Sequence, residues 1–353
     1  MIEIDGAQGE GGGQVLRSAL TLSILTGQPF HIVNIRARRS KPGLAAQHLK
    51  SIDAAATISK AEVQGAHLGS RELSFKPGGL RSGRYKFEVG TAGATTLILQ
   101  TILLPLSRTS SASTVIITGG THVPASPCYH YIEMNWLPCL RQIGMDATLN
   151  LEQAGFYPRG GGRIQATIRP SPHLHALNLF QRGKMINLSG ISAVANLPRS
   201  IAERQRRQAL LRIKNLPALG NHIEPQIKIV ELPSPVKGTL LLLLAEFENG
   251  RACYFSLGEL GKPAEKVADE AVDRLEEFLE SDGAIDQYLT DQLLLPLSFA
   301  DGVSTLRTSR VTSHLLTNAE ILQLFLPVKI AIEGEIGVTG IVRIVPQGSN
   351  ESI

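Results

Sequence analysis

Apolar residues along this chain switch between a period of about two and a period of about 3.6, and the switches outline alternating strands and helices. Residues 2–4 form a short apolar strand, 12–26 carry apolar side chains at helical spacing, and 30–35 return to a strand pattern. After the break Lys41-Pro42-Gly43, a second helix is predicted over 44–59, then strands near residue 62 and at 72–75. The same order recurs from Tyr85: a strand to Val89, a Gly-Thr-Ala-Gly turn at 90–93, a helix through Leu104 and a strand at 114–118. A helix near 129–143 and strands near 147–151 and 163–168 complete it. Two βαβαββ copies thus occupy roughly 1–80 and 83–170, a period of about 85 residues.

The end of the chain reads as the back half of a third copy, with a strand around 292–297, a helix over 312–324, and strands at 328–332 and 340–344. A third unit starting near residue 175 would have about 180 residues where about 85 suffice, so about 90 are inserted. The surplus fits a compact α/β subdomain over 184–277: strand 185–194, helix 198–211, strands 226–230, 240–247 and 252–255, and a helix opened by Pro263. The expected fold is α/β (α+β). Three βαβαββ repeats, 1–183 with 278–353, form a large domain, and a smaller domain, 184–277, interrupts the third.

Composition changes this picture little. With 353 residues, 43% hydrophobic and 19% charged, the chain can fill more than one core. No apolar run approaches the ~20 residues of a membrane span, and the first residues have neither a basic start nor an apolar signal core. The expectation is a cytoplasmic protein without a membrane partner, nucleoplasmic if eukaryotic. Three cysteines without a C-x-x-C pair indicate neither a disulfide scaffold nor a structural zinc site. A net charge of +4 and a pI near 9.0 permit a polyanionic partner without requiring one. The run Arg36-Ala37-Arg38-Arg39-Ser40-Lys41 places four cations in six residues, either as a solvated loop or as a phosphate contact.

Three glycine clusters border these elements: Gly9-Glu10-Gly11-Gly12-Gly13-Gln14, Gly90-Thr91-Ala92-Gly93 and Tyr157-Pro158-Arg159-Gly160-Gly161-Gly162. Each is a tight turn or a set of bare amides that can receive a phosphate at a helix start. None matches a P-loop or dinucleotide fingerprint. In the first cluster, Glu10 is a plausible Mg²⁺ anchor and Arg17 a plausible phosphate fork.

At this point the sequence resembles RNA 3'-terminal phosphate cyclases. The resemblance is carried by 5–17, by 35–44 with Gln47-His48-Leu49, and by Gly155-Phe156-Tyr157-Pro158-Arg159-Gly160-Gly161-Gly162. It continues in Leu197-Pro198-Arg199-Ser200-Ile201-Ala202-Glu203-Arg204, Tyr288-Leu289-Thr290-Asp291-Gln292-Leu293 and His314-Leu315-Leu316-Thr317-Asn318. It implies three βαβαββ repeats with a thioredoxin-like insert in the third. It implies His314 as the residue that becomes adenylated, Arg17, Arg36 and Arg39 near the phosphates, and Glu10 as a ligand for Mg²⁺ or Mn²⁺. Tyr288 is the implied adenine stack, with Pro127, Gln100, Asp291 and Gln292 also at ATP. Gln47 and His48, with Arg36 and Arg39, would meet the RNA 3'-phosphate end. One departure is visible: Ala154 stands where the family's glycine motif is usually preceded by His or Arg.

Histidine suits the role, because a neutral imidazole offers a lone pair near pH 7 and its phosphoramidate can pass the nucleotide on. Two rival readings stand against it, the first opposed by the presence of His314 with Arg17 and Glu10, the second by repeat number and the arginine run. One is a non-catalytic cyclase-like factor in ribosomal RNA processing, which would lack the adenylated histidine. The other is a carboxyvinyl transferase, built from similar repeats and independent of ATP.

Overall fold

The computed structural model describes residues 1–9, 11–217 and 223–347. It is a mixed α/β fold containing four four-stranded sheets. The first sheet holds β1 (Ile2–Asp5), β2 (Phe30–Val33), β3 (Glu62–Gln64) and β4 (Leu73–Lys76) in the order β1-β2-β4-β3, with α1 (Gly13–Thr26) and α2 (Ala46–Ser59) between its strands. The second holds β5 (Arg84–Glu88), β6 (Ser113–Gly119), β7 (Ala147–Gln153) and β8 (Gly162–Ile168) in the order β5-β6-β8-β7. Its helices are α3 (Thr95–Ser107) and a segment built from α4 (Tyr129–Tyr131), a π-helical turn (Ile132–Trp136) and α5 (Leu137–Gln142).

Strand β9 (Asn178–Leu179) is followed by β10 (Met185–Ala195), α6 (Arg199–Ile213), β11 (Gln226–Glu231), β12 (Gly238–Phe247), β13 (Gly250–Leu257) and α7 (Ala264–Glu280). These four strands form a sheet of their own, β11-β10-β12-β13. The chain then returns through α8 (Gln287–Leu297), β14 (Ser304–Thr308), α9 (Ser313–Phe325), β15 (Val328–Glu333) and β16 (Gly340–Pro346), giving a fourth sheet, β15-β16-β14-β9. In three of the sheets, the first two strands in chain order pair in parallel and the rest of the ladder is antiparallel: β1 with β2, β5 with β6, and β9 with β14.

Helices fill the middle. α1 packs on α2, α3 and α9, and α8 packs on α9. α3 buries nearly every side chain, as an all-round apolar helix must. β12 shows why the run of five leucines at 240–244 is a strand: Leu241 and Leu243 face α6 and α7, while Leu240, Leu242 and Leu244 face the main core. Among the described residues no helix is long and apolar enough to cross a membrane.

One expected element is different. Residues 292–297 are the last turns of α8, not a strand, and the strand of that region is β14. Asp286 caps α8, its side chain accepting from the N–H groups of Tyr288 and Leu289. Pro296 inside the helix leaves the Gln292 carbonyl without its helical donor, and Trp136 Nε1 donates to that oxygen at 3.4 Å. Pro105 in α3 is handled in the same way, with Thr21 Oγ1 donating to the Thr101 carbonyl at 2.8 Å.

Candidate active site

Three helix starts converge on a cleft of about 1200 Å³, somewhat larger than the common run of small-molecule pockets, and a basic loop lies behind two of them. The first helix start is α1. The His48 ring from α2 sits so close to Gly13 that a Cβ there would overlap it and approach Arg17 Nη1 at 3.0 Å, so only glycine fits. Gln14, Arg17, Ser18 and Thr21, at i, i+3, i+4 and i+7, then form one polar stripe of a mostly apolar helix, and all four line the cleft.

The second start is α8, whose cap fixes Tyr288, Asp291 and Gln292. Asp291 accepts two hydrogen bonds from Gln14 Nε2, at 2.8 and 2.9 Å, and one from Asn318 Nδ2 at 3.1 Å. Asn318 accepts in turn from Ser18 Oγ at 2.7 Å. Gln100 Nε2 of α3 donates to Gln292 Oε1 at 2.8 Å, so the two glutamines act as one unit. Tyr288 is 49% exposed and meets Tyr254 edge-on, which leaves a face open to the cleft. Pro127 lines the same cleft, its carbonyl held by Thr96 Oγ1 at 2.7 Å.

The third start is α9. Thr312 caps it through a bond from the Leu315 N–H at 3.1 Å, and His314 is its second residue, exposed at the cleft. Loss of hydration lowers the His314 pKa, Asp291 works against that fall, and Arg17 and Arg39 reinforce it. The imidazole is therefore neutral near pH 7. Burial raises the Asp291 carboxyl, against the pull of Gln14, His314, Asn318 and Arg17. Burial also brings Arg17 down to about 10, with Asp291 opposing. His48, buried with its Nδ1 accepting from the Ala45 N–H at 3.0 Å, is lowered to about 3 by burial, then by Arg17 and Arg36.

The basic loop closes the arrangement. Arg38 Nη1 donates to the Gly9 carbonyl at 3.0 Å, and Gly9 lies against Thr317 of α9, where a Cβ would collide. Arg36, in a left-handed backbone conformation with φ of 54°, donates to the Gly43 carbonyl at 2.9 Å. The sequence-predicted residues Arg17, Gln100, Pro127, Tyr288, Asp291, Gln292 and His314 all border the cleft. Arg36, Arg39 and His48 do not line it: Arg39 reaches it through its charge at His314, and Arg36 acts only on His48. Gln47 points elsewhere, its Oε1 accepting from the Ala94 N–H at the start of α3. Glu10 lies outside the described residues. Ala154 is buried, with its N–H donating to the Pro233 carbonyl at 2.7 Å.

A sequence model of RNA 3'-terminal phosphate cyclases matches residues 8–332. The chain belongs to that family. An RNA 3'-terminal phosphate cyclase of Ralstonia nicotianae is 44% identical, covering 95% of this chain and 94% of its own. One of Pseudomonas fluorescens is also 44% identical (94% of each chain), and one of Gloeothece citriformis is 41% identical (92% and 93%). The family match begins at Gln8, just before the glycine turn, and ends in β15, so all three helix starts fall within it.

Two contributors had no role in the sequence reading. Gln14 and Asn318 stand in the quoted motifs, yet together they hold Asp291. The signal was spacing: Gln14 opens the polar stripe of α1, and Asn318 follows His314 by one helical turn.

Proposed function

We propose that this chain uses ATP to convert an RNA 3'-terminal phosphate into a 2',3'-cyclic phosphate, through adenylated His314. The observation that carries this reading is an exposed imidazole at a helix start, in one cleft with Arg17, Asp291 and Tyr288. In the first step, the His314 lone pair attacks the α-phosphorus of ATP, an N–P bond forms, and pyrophosphate leaves with the electrons of the broken P–O bond. An oxygen of the RNA 3'-phosphate then attacks the same phosphorus and restores the imidazole. Finally, the vicinal 2'-OH attacks the activated 3'-phosphorus, AMP departs, and the hydroxyl proton passes to solvent.

Each displacement occurs at an already anionic phosphorus, so positioning and charge neutralisation dominate over proton transfer. Arg17 and Arg39, flanking His314, would carry that neutralisation, and Arg36 beside His48 would meet the RNA 3'-phosphate. Tyr288 and Pro127 would hold the adenine, with Asp291 and the Gln100–Gln292 pair as polar neighbours. Gln47 would act through the start of α3. Among the described residues no group of three or more His, Cys, Asp or Glu can hold a metal ion, so they do not form a protein cage. A Mg²⁺ or Mn²⁺ ion would arrive with the nucleotide phosphates and meet Glu10.

On the same reading, the three sheets of common pairing pattern are three copies of one βαβαββ unit, and the stretch 184–277 is a thioredoxin-like domain inserted in the third. α7, the last helix of that stretch, runs to Glu280.

Incubation with α-labelled ATP and Mg²⁺ tests the proposal. Wild type should retain label through an acid-labile, alkali-stable linkage, and His314→Ala should not. Equal labelling would refute the nucleophile, and absence of label on both would favour the non-catalytic RNA-processing factor.

A further inference from the structure

The motif Leu197-Pro198-Arg199-Ser200-Ile201-Ala202-Glu203-Arg204 has no part in the chemistry above, yet it opens α6, and Ile201 and Arg204 line the catalytic cleft. From Arg204 the helix continues with Arg207, Leu211 and Lys214, at i+3, i+7 and i+10, so one stripe leaves the cleft along its outer face. At 1.5 Å per residue it extends about 15 Å from first to last cation. Arg207 and Lys214 are exposed, and Leu211 between them is 60% exposed. A shallow groove runs beside them, with Leu210, Leu211 and Ile229 of the edge strand β11 as its apolar part and Glu203, Arg206, Arg207 and Lys214 around it.

The charges on this helix divide into two sets. Arg212 is matched by Asp269, Asp273 and Glu276 of α7, and Arg199 by Glu203 and Glu231. Arg204 is gripped by Glu265 at 2.6 Å, which orients it at the cleft. Arg206, Arg207 and Lys214 have no ion pair among the described residues, although Glu265 senses the Arg207 charge, and of the three only Arg207 and Lys214 lie on the stripe that starts at Arg204. An apolar floor edged by cations, continuous with a site for nucleotide phosphates, fits a single-stranded polyanion whose bases also need apolar cover.

We propose that Arg207 and Lys214 bind the phosphates of the RNA strand upstream of its 3' end, which makes the 184–277 unit a clamp for the RNA body. This rests on the cyclase reading for the identity of the polyanion, and the test separates the two. Full-length wild type and the Arg207→Glu/Lys214→Glu variant are titrated with fluorescent single-stranded RNA of about 20 nucleotides and with a trinucleotide, both ending in a 3'-hydroxyl, over a salt series. Self-adenylylation from labelled ATP is measured in parallel.

The variant should bind the long RNA more than tenfold less tightly. Its slope of log affinity against log salt should fall by about 1.4, from two contacts at ~0.7 each. Trinucleotide affinity and self-adenylylation should stay at wild-type levels. Unchanged long-RNA affinity would overturn the clamp and leave the stripe to a protein partner, and an equal loss for both lengths would place the effect at the catalytic end and overturn it too. If wild type fails to label itself while the RNA results hold, the chemistry falls and the clamp stands.

Discussion

Asp286 is the strongest single hold on the site. Its fully buried carboxylate accepts five hydrogen bonds: Oδ1 from Tyr131 Oη at 2.8 Å and from the N–H groups of Tyr288 and Leu289 at 3.0 and 2.8 Å, and Oδ2 from Asn135 Nδ2 at 2.9 Å and the Cys253 N–H at 3.2 Å. It therefore ties the start of α8 to α4, to the π-helical turn and to β13. In Asp286→Ala, the lost cap costs about 1 kcal/mol. The three other buried donors, left unpaired, cost ~1–3 kcal/mol each. Removing a carboxylate that burial already pushes upward in pKa offsets part of this. The expected loss is about 4–6 kcal/mol, comparable to the whole stability of many domains. Asp286→Asn should behave differently. Asn135 Oδ1 is buried without a partner, so turning that amide over lets it accept from the new Asn side chain. The Cys253 N–H and the turned Asn135 Nδ2 are then left without acceptors, and a loss of about 2–4 kcal/mol is expected. The lone tryptophan, Trp136, lies beside Asn135 and reports urea unfolding directly. An Ala variant within about 1 kcal/mol of wild type, or an Asn variant as damaged as Ala, would refute the accounting.

Two further outcomes concern pH. Because His314 must be neutral to attack, self-adenylylation should fall on the acid side of its lowered pKa. Arg39→Ala, which removes a lowering charge, should move that limb to higher pH, and Asp291→Asn, which removes a raising charge, should move it to lower pH. Normalised pH–rate profiles check this, and limbs that stay fixed in both variants would mean another group titrates. His130 is buried against His122 and lowered to about 4 by burial. The unfolded chain binds a proton near pH 6.5 that the folded chain refuses, so this stability is present above about 6.5 and is lost as pH falls toward 4. At about 1.4 kcal/mol per pH unit, His130→Gln should remove up to about 3 kcal/mol of the acid-side slope. An unaltered dependence of the urea midpoint on pH would contradict the assignment.

Most elements were legible because their burial follows one face. β6 and β8 alternate strictly, and α7 repeats apolar residues at three- and four-residue steps. The cleft was legible only through resemblance. No local pattern relates Gln14 to Asp291, 277 residues apart in sequence, or Arg39 to His314. Periodicity failed at α8, where a short apolar run with a proline reads equally as a strand. The deciding signal lay elsewhere in the chain: Leu-Leu-Pro-Leu-Ser closes α3 at 103–107 and recurs at 294–298. The first occurrence reads as helix because the periodic run before it is long, and the repeat transfers that reading to the second. The structure supplies the physical reason the motif is tolerated twice. Each proline strips a donor from the carbonyl four residues back, and each orphaned oxygen is claimed by a neighbouring helical segment, by Thr21 in one case and Trp136 in the other. Thr21 and Trp136 both border the cleft, so the proline that obscures the helix in the sequence also secures a wall of the site.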